Sequence, residues 1–296
     1  GVTSKSSEQF DYVVVGAGSA GCAVANGLSE SGRHSVLLLE AGPESRRNPF
    51  VNTPLGFLQL MFSRRFNWQF NTEPQRHMYD RALFQPRGKM VGGSSGMNAQ
   101  VYIRGHASDY DEWARLGCNG WSYSEVLPYF RRSEHFEPKL ASADVAFHGQ
   151  GGPLNVAERR YTNPLSVVFL DAAIQAGYQR NADFNGSEQE GVGFYYAYQK
   201  NGVRCSNARA YLEPAAGRSN LTVRSDAQVT RVLLEGTLAT GVEYRSAKGL
   251  VQVCARREVV LCGGAFNSPQ LLMLSGIGPL EELAQHGIKL RHALEG

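Results

Sequence analysis

No apolar run in this chain approaches the roughly 20 residues needed to cross a bilayer; runs such as Phe10 to Val15 and Ser35 to Leu39 are strand-sized. Cysteine is scarce: Cys22, Cys118, Cys205, Cys254 and Cys262 make an odd set with no Cys-x-x-Cys and no zinc-like spacing. That excludes a disulfide framework and offers no metal site. It fits a reducing compartment, the cytoplasm, with the inner-membrane surface as a second location. Cys22 in a first helix and Cys262 in an apolar strand read as small buried residues. Charge of one sign is also lacking. The formal net charge is +3 over 296 residues, and five Arg-Arg pairs (46–47, 64–65, 131–132, 159–160, 256–257) are spread along the chain. Without a basic tail or stripe, no nucleic-acid partner is expected. Residues 1–7 carry no charged-then-apolar leader and read as a disordered lead. There is no internal repeat and no low-complexity tract. What remains, 42% hydrophobic and 19% charged, is ordinary for a globular chain.

Glycine is plentiful: 33 residues, above the roughly 7% of average proteins, and much of it clusters. The first cluster, Gly16-Ala17-Gly18-Ser19-Ala20-Gly21, follows the apolar run ending at Val15 and opens an Ala-rich helical stretch. A second apolar run then ends in Glu40. Strand, turn, helix, strand and acid in that order make the context that G-x-G-x-x-G needs to bind an adenine dinucleotide. Gly16 permits the tight turn, Gly18 lets backbone approach a pyrophosphate, and Gly21 lets helix and strand pack closely. The helix start offers unpaired N–H groups and the positive end of a dipole. Glu40 is placed to accept hydrogen bonds from a ribose and to repel a 2′-phosphate. Without a ligand, the same residues are only a Gly-rich turn.

The unit 10–41 predicts two parallel strands joined by a helix. From Gly42 to Phe84, prolines at 43, 49, 54 and 74 break the pattern into an irregular excursion. Short helices are expected around Asp109 to Leu116 and from Ser122 onward. A further helix runs from Pro164 to about Ala176, capped by Thr162 or Asn163 and closed by Gly177. Between Leu221 and Leu261, three apolar runs separated by Glu235-Gly236-Thr237 and Lys248-Gly249 read as an antiparallel meander. Helical periodicity returns over Ser268 to Leu274 and Leu280 to His286.

The second glycine cluster is Gly88-Lys89-Met90-Val91-Gly92-Gly93-Ser94-Ser95-Gly96-Met97-Asn98. Small residues there let backbone pass close to a flat ligand, with Ser, Asn and N–H donors at hand. A flexible surface loop is one alternative. Another is the nucleophile elbow of α/β-hydrolases, because Gly92 to Gly96 matches G-x-S-x-G and both His148 and His286 lie downstream. The weak strand character of Arg87 to Met90 speaks against the elbow. The third cluster, Gly263-Gly264-Ala265-Phe266-Asn267-Ser268-Pro269, follows a strand and precedes a helix that Gly276 closes. Ser268 reads as its N-cap and Pro269 as its first residue.

The fingerprint ending Leu39-Glu40-Ala41-Gly42, the stretch Arg87 to Asn98, and the stretch Gly264 to Gly278 together resemble the glucose-methanol-choline (GMC) oxidoreductases in order and spacing. Asn67-Trp68 with Pro74-Gln75, and Asp183-Phe184-Asn185-Gly186 leading to Gly191-Val192-Gly193-Phe194, are similar to the family as well. The branch resembled is that of the bacterial FAD-dependent alcohol and choline dehydrogenases, over the family's N-terminal part only. The implied fold is α/β (α+β overall): a Rossmann-like FAD-binding domain with an antiparallel meander, plus cap segments of an incomplete substrate domain. Residues 8–296 form the FAD-binding region, with 46–84 and 155–214 as cap or substrate-side segments.

The resemblance implies FAD as cofactor. Gly16, Gly18, Ser19 and Gly21 would hold its pyrophosphate, Glu40 its ribose, and Ala41 and Trp68 its AMP half. Gly92, Gly93, Ser94, Asn98, Ala99 and Val101 would meet the flavin and ribityl chain, Val229 the adenine, and Ala265 would lie near the cofactor. In covalently flavinylated relatives a His precedes the position of Asn98; here it is Met97, so the FAD is expected to be non-covalent. The implied reaction oxidises a primary alcohol to an aldehyde, hydride passing to flavin N5 while a general base takes the hydroxyl proton. In the family that base is a C-terminal His. No His here lies in a matching motif, so no catalytic residue is assigned in this chain. His77, His106, His135, His148 and His286 read as surface or structural. A companion C-terminal polypeptide is therefore expected to complete the site, as in a nicked or two-chain enzyme. The alternatives are a non-catalytic FAD-binding or interaction subunit, or a redox-silent member of the hydroxynitrile lyase or photodecarboxylase type.

Overall fold

The computed structural model describes residues 8–138 and 145–295; the lead at 1–7 lies outside the described residues. The chain divides into two compact units, one running to Met97 and resuming at Asn207, the other spanning Asn98–Ser206.

The first unit is built on a six-stranded sheet: β1 (Gln9–Val15), β2 (Val36–Leu39), β3 (Leu221–Arg224), β4 (Gln228–Glu235), β5 (Leu238–Ser246) and β6 (Gly249–Leu261), in spatial order β3-β2-β1-β6-β5-β4. Helix α1 (Ser19–Ser29) makes the crossover that sets β2 parallel to β1, with Val13 opposite Leu37 and Val15 opposite Leu39. Alternate residues of β1 and β2 serve opposite faces, as the period of a strand dictates. Val13, Val15, Leu37 and Leu39 pack with Val232, Val242 and Val253 of the meander. Val14, Val36 and Leu38 pack with Cys22 and Ala25 of α1 and with Ala208 and Leu212. Burial on both faces explains why β2 reads as an unbroken apolar run rather than an alternating one.

The meander comprises β4, β5 and β6 only. Leu221–Arg224 instead pairs parallel with the free side of β2, Leu221 opposite Val36, because it is a short strand returning at the level of that edge. Strand β6 is thirteen residues long and serves two sheet halves: its first part pairs antiparallel with β5 and its last part parallel with β1, Leu261 opposite Val15. The ends of β1, β2 and β6 thus reach the same edge, where the chain leaves each strand.

Helix α2 (Gly264–Leu274) begins five residues earlier than a Ser268 cap predicts. Gly264, at φ +83°, turns the chain directly out of β6 into the helix, so Pro269 falls inside it instead of at its start. Gly276, at φ +87°, follows its end. A short helix, α3 (Leu280–Gln285), comes next.

The excursion after Gly42 consists of short helical turns held to the unit by a small core of Val51, Leu60, Met90 and Met97. In the second unit, the Ala107–Arg115 helix is capped by His106, and Tyr123–Ser133 by a Ser122–Glu125 box. Pro164–Gln175 is capped by Asn163. Strand Glu134–Phe136 pairs parallel with Leu154–Val156 over a core of Tyr102, Phe136, Val156 and Tyr198.

Candidate functional site

A crevice of about 480 Å³ opens in the first unit where β1, β2 and β6 end. This is the strand-end position at which α/β sheets bind ligands. Its floor is made by close approach of the glycine clusters. A Cβ at Gly16 (φ +97°) would stand 2.6 Å from the carbonyl oxygen of Cys262, and one at Gly93 (φ +52°) 2.7 Å from the Cα of Gly18. A Cβ at Gly21 would strike the Gly16 carbonyl. Each of these contacts requires glycine. At Gly18 and Gly264, by contrast, a Cβ would enter open space, and both residues line the crevice.

Two eleven-residue helices start here. Gly18 caps α1 and Gly263 caps α2, and neither cap supplies a side-chain oxygen, so the first-turn N–H groups remain for a ligand. Pro269 has no N–H to give the carbonyl of Ala265 four residues back, and the Oδ1 of Asn267 is buried without a partner among the described residues. Ala265 and Asn267 line the crevice. The backbone donors suit a pyrophosphate, and the spare oxygens suit N–H or O–H donors.

Glu40 is 6% exposed on the crevice wall. Its Oε2 accepts from the N–H of Ala17 and its Oε1 from that of Gly42, both at 2.9 Å. Burial raises its pKa to about 7, against the pull of those N–H groups and of nearby Lys89. The rim is an aromatic–cation ladder. Lys89 Nζ lies 4.6 Å from the Trp68 ring centre, Trp68 stacks on Phe70 at 5.7 Å, and Phe70 meets Phe266 edge-on at 5.9 Å. Arg87 closes it 4.3 Å above Phe266.

Of the residues predicted from sequence, Gly16, Gly18, Ser19, Glu40, Ala41, Trp68, Gly93, Ser94, Val229 and Ala265 all line this crevice. Gly21 and Gly92 lie behind it: Gly21 is packed on Gly16, and Gly92 donates to the Ala17 carbonyl at 2.6 Å. Asn98, Ala99 and Val101 belong to the second unit, where Arg204 Nη1 donates to the carbonyl (2.7 Å) and Oδ1 (3.0 Å) of Asn98. Cys262 sits one residue past β6 and is half-buried on the crevice wall, not inside a strand. Arg87, Gln228, Phe266 and Asn267 were not anticipated as lining residues.

The elbow reading fails. Gly93–Gly96 is a 3₁₀ turn entered from irregular chain, and Ser94 Oγ accepts from the Gly88 N–H instead of facing a base. His148 is held by two carboxylates, and His286 pairs with Glu282 at the end of α3. Among the described residues, no histidine lines the crevice.

Residues 10–290 match the model of the GMC oxidoreductase family. The chain belongs to that family. It is 46% identical to the Pseudomonas putida alcohol dehydrogenase [acceptor], over 96% of this chain and 51% of that protein. It is 45% identical to the oxygen-dependent choline dehydrogenase of Photobacterium profundum, over 97% and 50%. Among solved structures it superposes on pyridoxine 4-oxidase from Mesorbium loti with a TM-score of 0.89 and 35% identity, covering 96% of this chain and 55% of that one. An FAD-dependent oxidoreductase from Chaetomium thermophilum gives 0.89 and 30%, over 96% and 50%. The chain thus spans about half the length of the curated relatives it matches. Family membership and these neighbours support FAD binding, and the GMC chain's open Gly18 and Gly264, uncapped helix starts and spare acceptors fit a dinucleotide.

Proposed function

We propose that this chain is the FAD-binding part of an enzyme that oxidises a primary alcohol to its aldehyde. The reading is carried by the convergence of three glycine segments on one crevice whose open positions, Gly18 and Gly264, sit at two uncapped helix starts. Bound non-covalently there, FAD would supply a two-electron acceptor for the substrate's hydride.

The chain's own residues bind and orient. First-turn N–H groups after Gly18 take the pyrophosphate, with Gly16, Ser19 and Gly21 shaping the turn. Glu40 accepts from the ribose hydroxyls, its carboxyl group held in place by the Ala17 and Gly42 N–H donors. Ala41 and Trp68 flank the AMP half, and Val229 meets the adenine. Gly93 and Ser94 face the flavin with Gly92 behind them, Asn98, Ala99 and Val101 are further contacts of the flavin and ribityl chain, and Ala265 lies near the cofactor. Segments 46–84 and 155–214 serve as cap or substrate-side elements of residues 8–296.

The general base comes from a companion polypeptide matching the other half of the relatives' length. In the second unit, Leu165, Val168 and Phe169 on the Pro164–Gln175 helix are 75%, 61% and 70% exposed, an apolar face suited to such a partner. The enzyme works in a reducing compartment, at the inner-membrane surface or free of it; no helix among the described residues is long and apolar enough to cross a membrane. A second reading, an FAD-binding subunit without turnover, draws on the lack of a histidine on the crevice wall among the described residues. Anaerobic bleaching separates the two. A yellow sample of the chain with its companion, bleached by a primary alcohol, supports oxidation. Flavin that no alcohol reduces supports the non-catalytic subunit.

A further inference from the structure

We propose that His148 is a positioning residue: as an imidazolium it closes a buried quartet of charges with Arg104, Glu134 and Asp183, and so holds the Val101–Arg104 segment in place. The functional consequence rests on the reading above, in which Asn98, Ala99 and Val101 face the flavin.

The geometry suits the charged ring. His148 Nδ1 lies 3.0 Å from Glu134 Oε1, and Nε2 lies 2.6 Å from Asp183 Oδ2. An imidazolium carries a proton on both ring nitrogens and so donates to both carboxyl groups at once. Glu134 Oε2 accepts in turn from Arg104 Nη2 and from the Gly149 N–H, each at 2.9 Å. The order Arg104, Glu134, His148, Asp183 alternates in sign and sums to zero. Side-chain exposures in the quartet run from 0% to 5%. A neutral imidazole would leave one carboxylate facing a lone pair and an uncompensated charge in a site closed to water. Burial by itself would lower the His148 pKa, but bonds to Asp183 and Glu134 outweigh it and raise the value to about 9.

The quartet is wired to the flavin-side segment. Asp183 Oδ1 accepts from the Asn185 N–H at 3.0 Å, Asn185 Oδ1 accepts from the Arg104 N–H at 2.8 Å, and Asn185 Nδ2 donates to the Tyr102 carbonyl at 3.2 Å. The ring of His148 stacks on Phe136 with centres 3.7 Å apart. The other titratable groups around the quartet are the phenols of Tyr102, Tyr123 and Tyr196, and Arg131, whose Nε donates to the His148 carbonyl. None is a carboxylate that could replace Glu134 or Asp183. With both nitrogens engaged, His148 is unavailable as a base.

Long-range ¹H–¹⁵N spectra of the histidine-labelled full chain test the charge state directly. One of the seven imidazoles is expected to keep both ring protons at pH 8, where an ordinary histidine has lost one. Seven that have all lost a proton by then would overturn the proposal, whether or not any variant folds. Hydrogen exchange tests the positioning. His148→Gln should speed exchange of the Tyr102 and Arg104 amides by roughly tenfold to a hundredfold. Adding Asp183→Asn, which restores neutrality, should recover part of that protection, as a purely steric role would not. Unchanged exchange in His148→Gln, or no recovery in the double variant, counts against it. FAD uptake recorded on the same samples reports on the proposed function separately, since both readouts exist without flavin.

Discussion

At the scale of single residues, the glycines divide into two kinds that a motif cannot separate. Gly16 is required by the fold: its φ of +97° and the Cys262 oxygen 2.6 Å from a Cβ leave no room. Gly16→Ala should cost roughly 1–3 kcal/mol in thermal or denaturant unfolding. Gly18 is not required by the fold, since its Cβ would enter the open crevice; under the proposed function it is the cofactor that needs the space. Gly18→Val should leave the melting temperature nearly unchanged while weakening FAD binding by at least about tenfold. Glu40 carries a different signature. Its folded pKa of about 7 lies above the usual carboxylate value of 4.5, so its ionisation opposes folding as pH rises from 4.5 to 7, by an amount on the order of 3 kcal/mol at the top of that window. A ribose donating to Glu40 favours the anion. FAD binding near pH 6 should therefore release protons, up to one per site, in calorimetry across buffers of different ionisation enthalpy. Proton uptake would mean that Glu40 does not meet the ribose.

At the scale of elements, β1, α1, β2 and the meander were legible because their apolar periods are strong and their turns carry glycine. The start of α2 was not. Ser268-Pro269 is the strongest local mark of a helix start, but the helix begins at Gly264, whose positive φ leaves no trace in composition. Leu221–Arg224 looked like part of the meander because strand patterning does not specify a partner. The interior proline offers a test. Pro269→Ala supplies the missing N–H to the Ala265 carbonyl and should stabilise the chain by about 1–3 kcal/mol. If Ala265 uses that carbonyl for the cofactor, the same change weakens FAD binding; a variant that is more stable and binds FAD unchanged would remove Ala265 from the site.

At the scale of the whole molecule, chain order and spacing carried the family, while contacts between distant segments stayed hidden. Arg87 over Phe266 joins residues 179 positions apart, and the quartet around His148 draws on four separate segments. No spacing rule links either set, and both appear only once the chain has folded. The chain covers about half of its relatives' length, and its crevice is lined by segments from residue 15 to residue 274. The central claim, one non-covalent flavin held by three glycine segments, is tested most directly by denaturing the purified, FAD-equilibrated chain and separating small molecules from protein. The account predicts one FAD per chain in the soluble fraction. Flavin retained on the precipitated polypeptide, or none taken up at all, would contradict it.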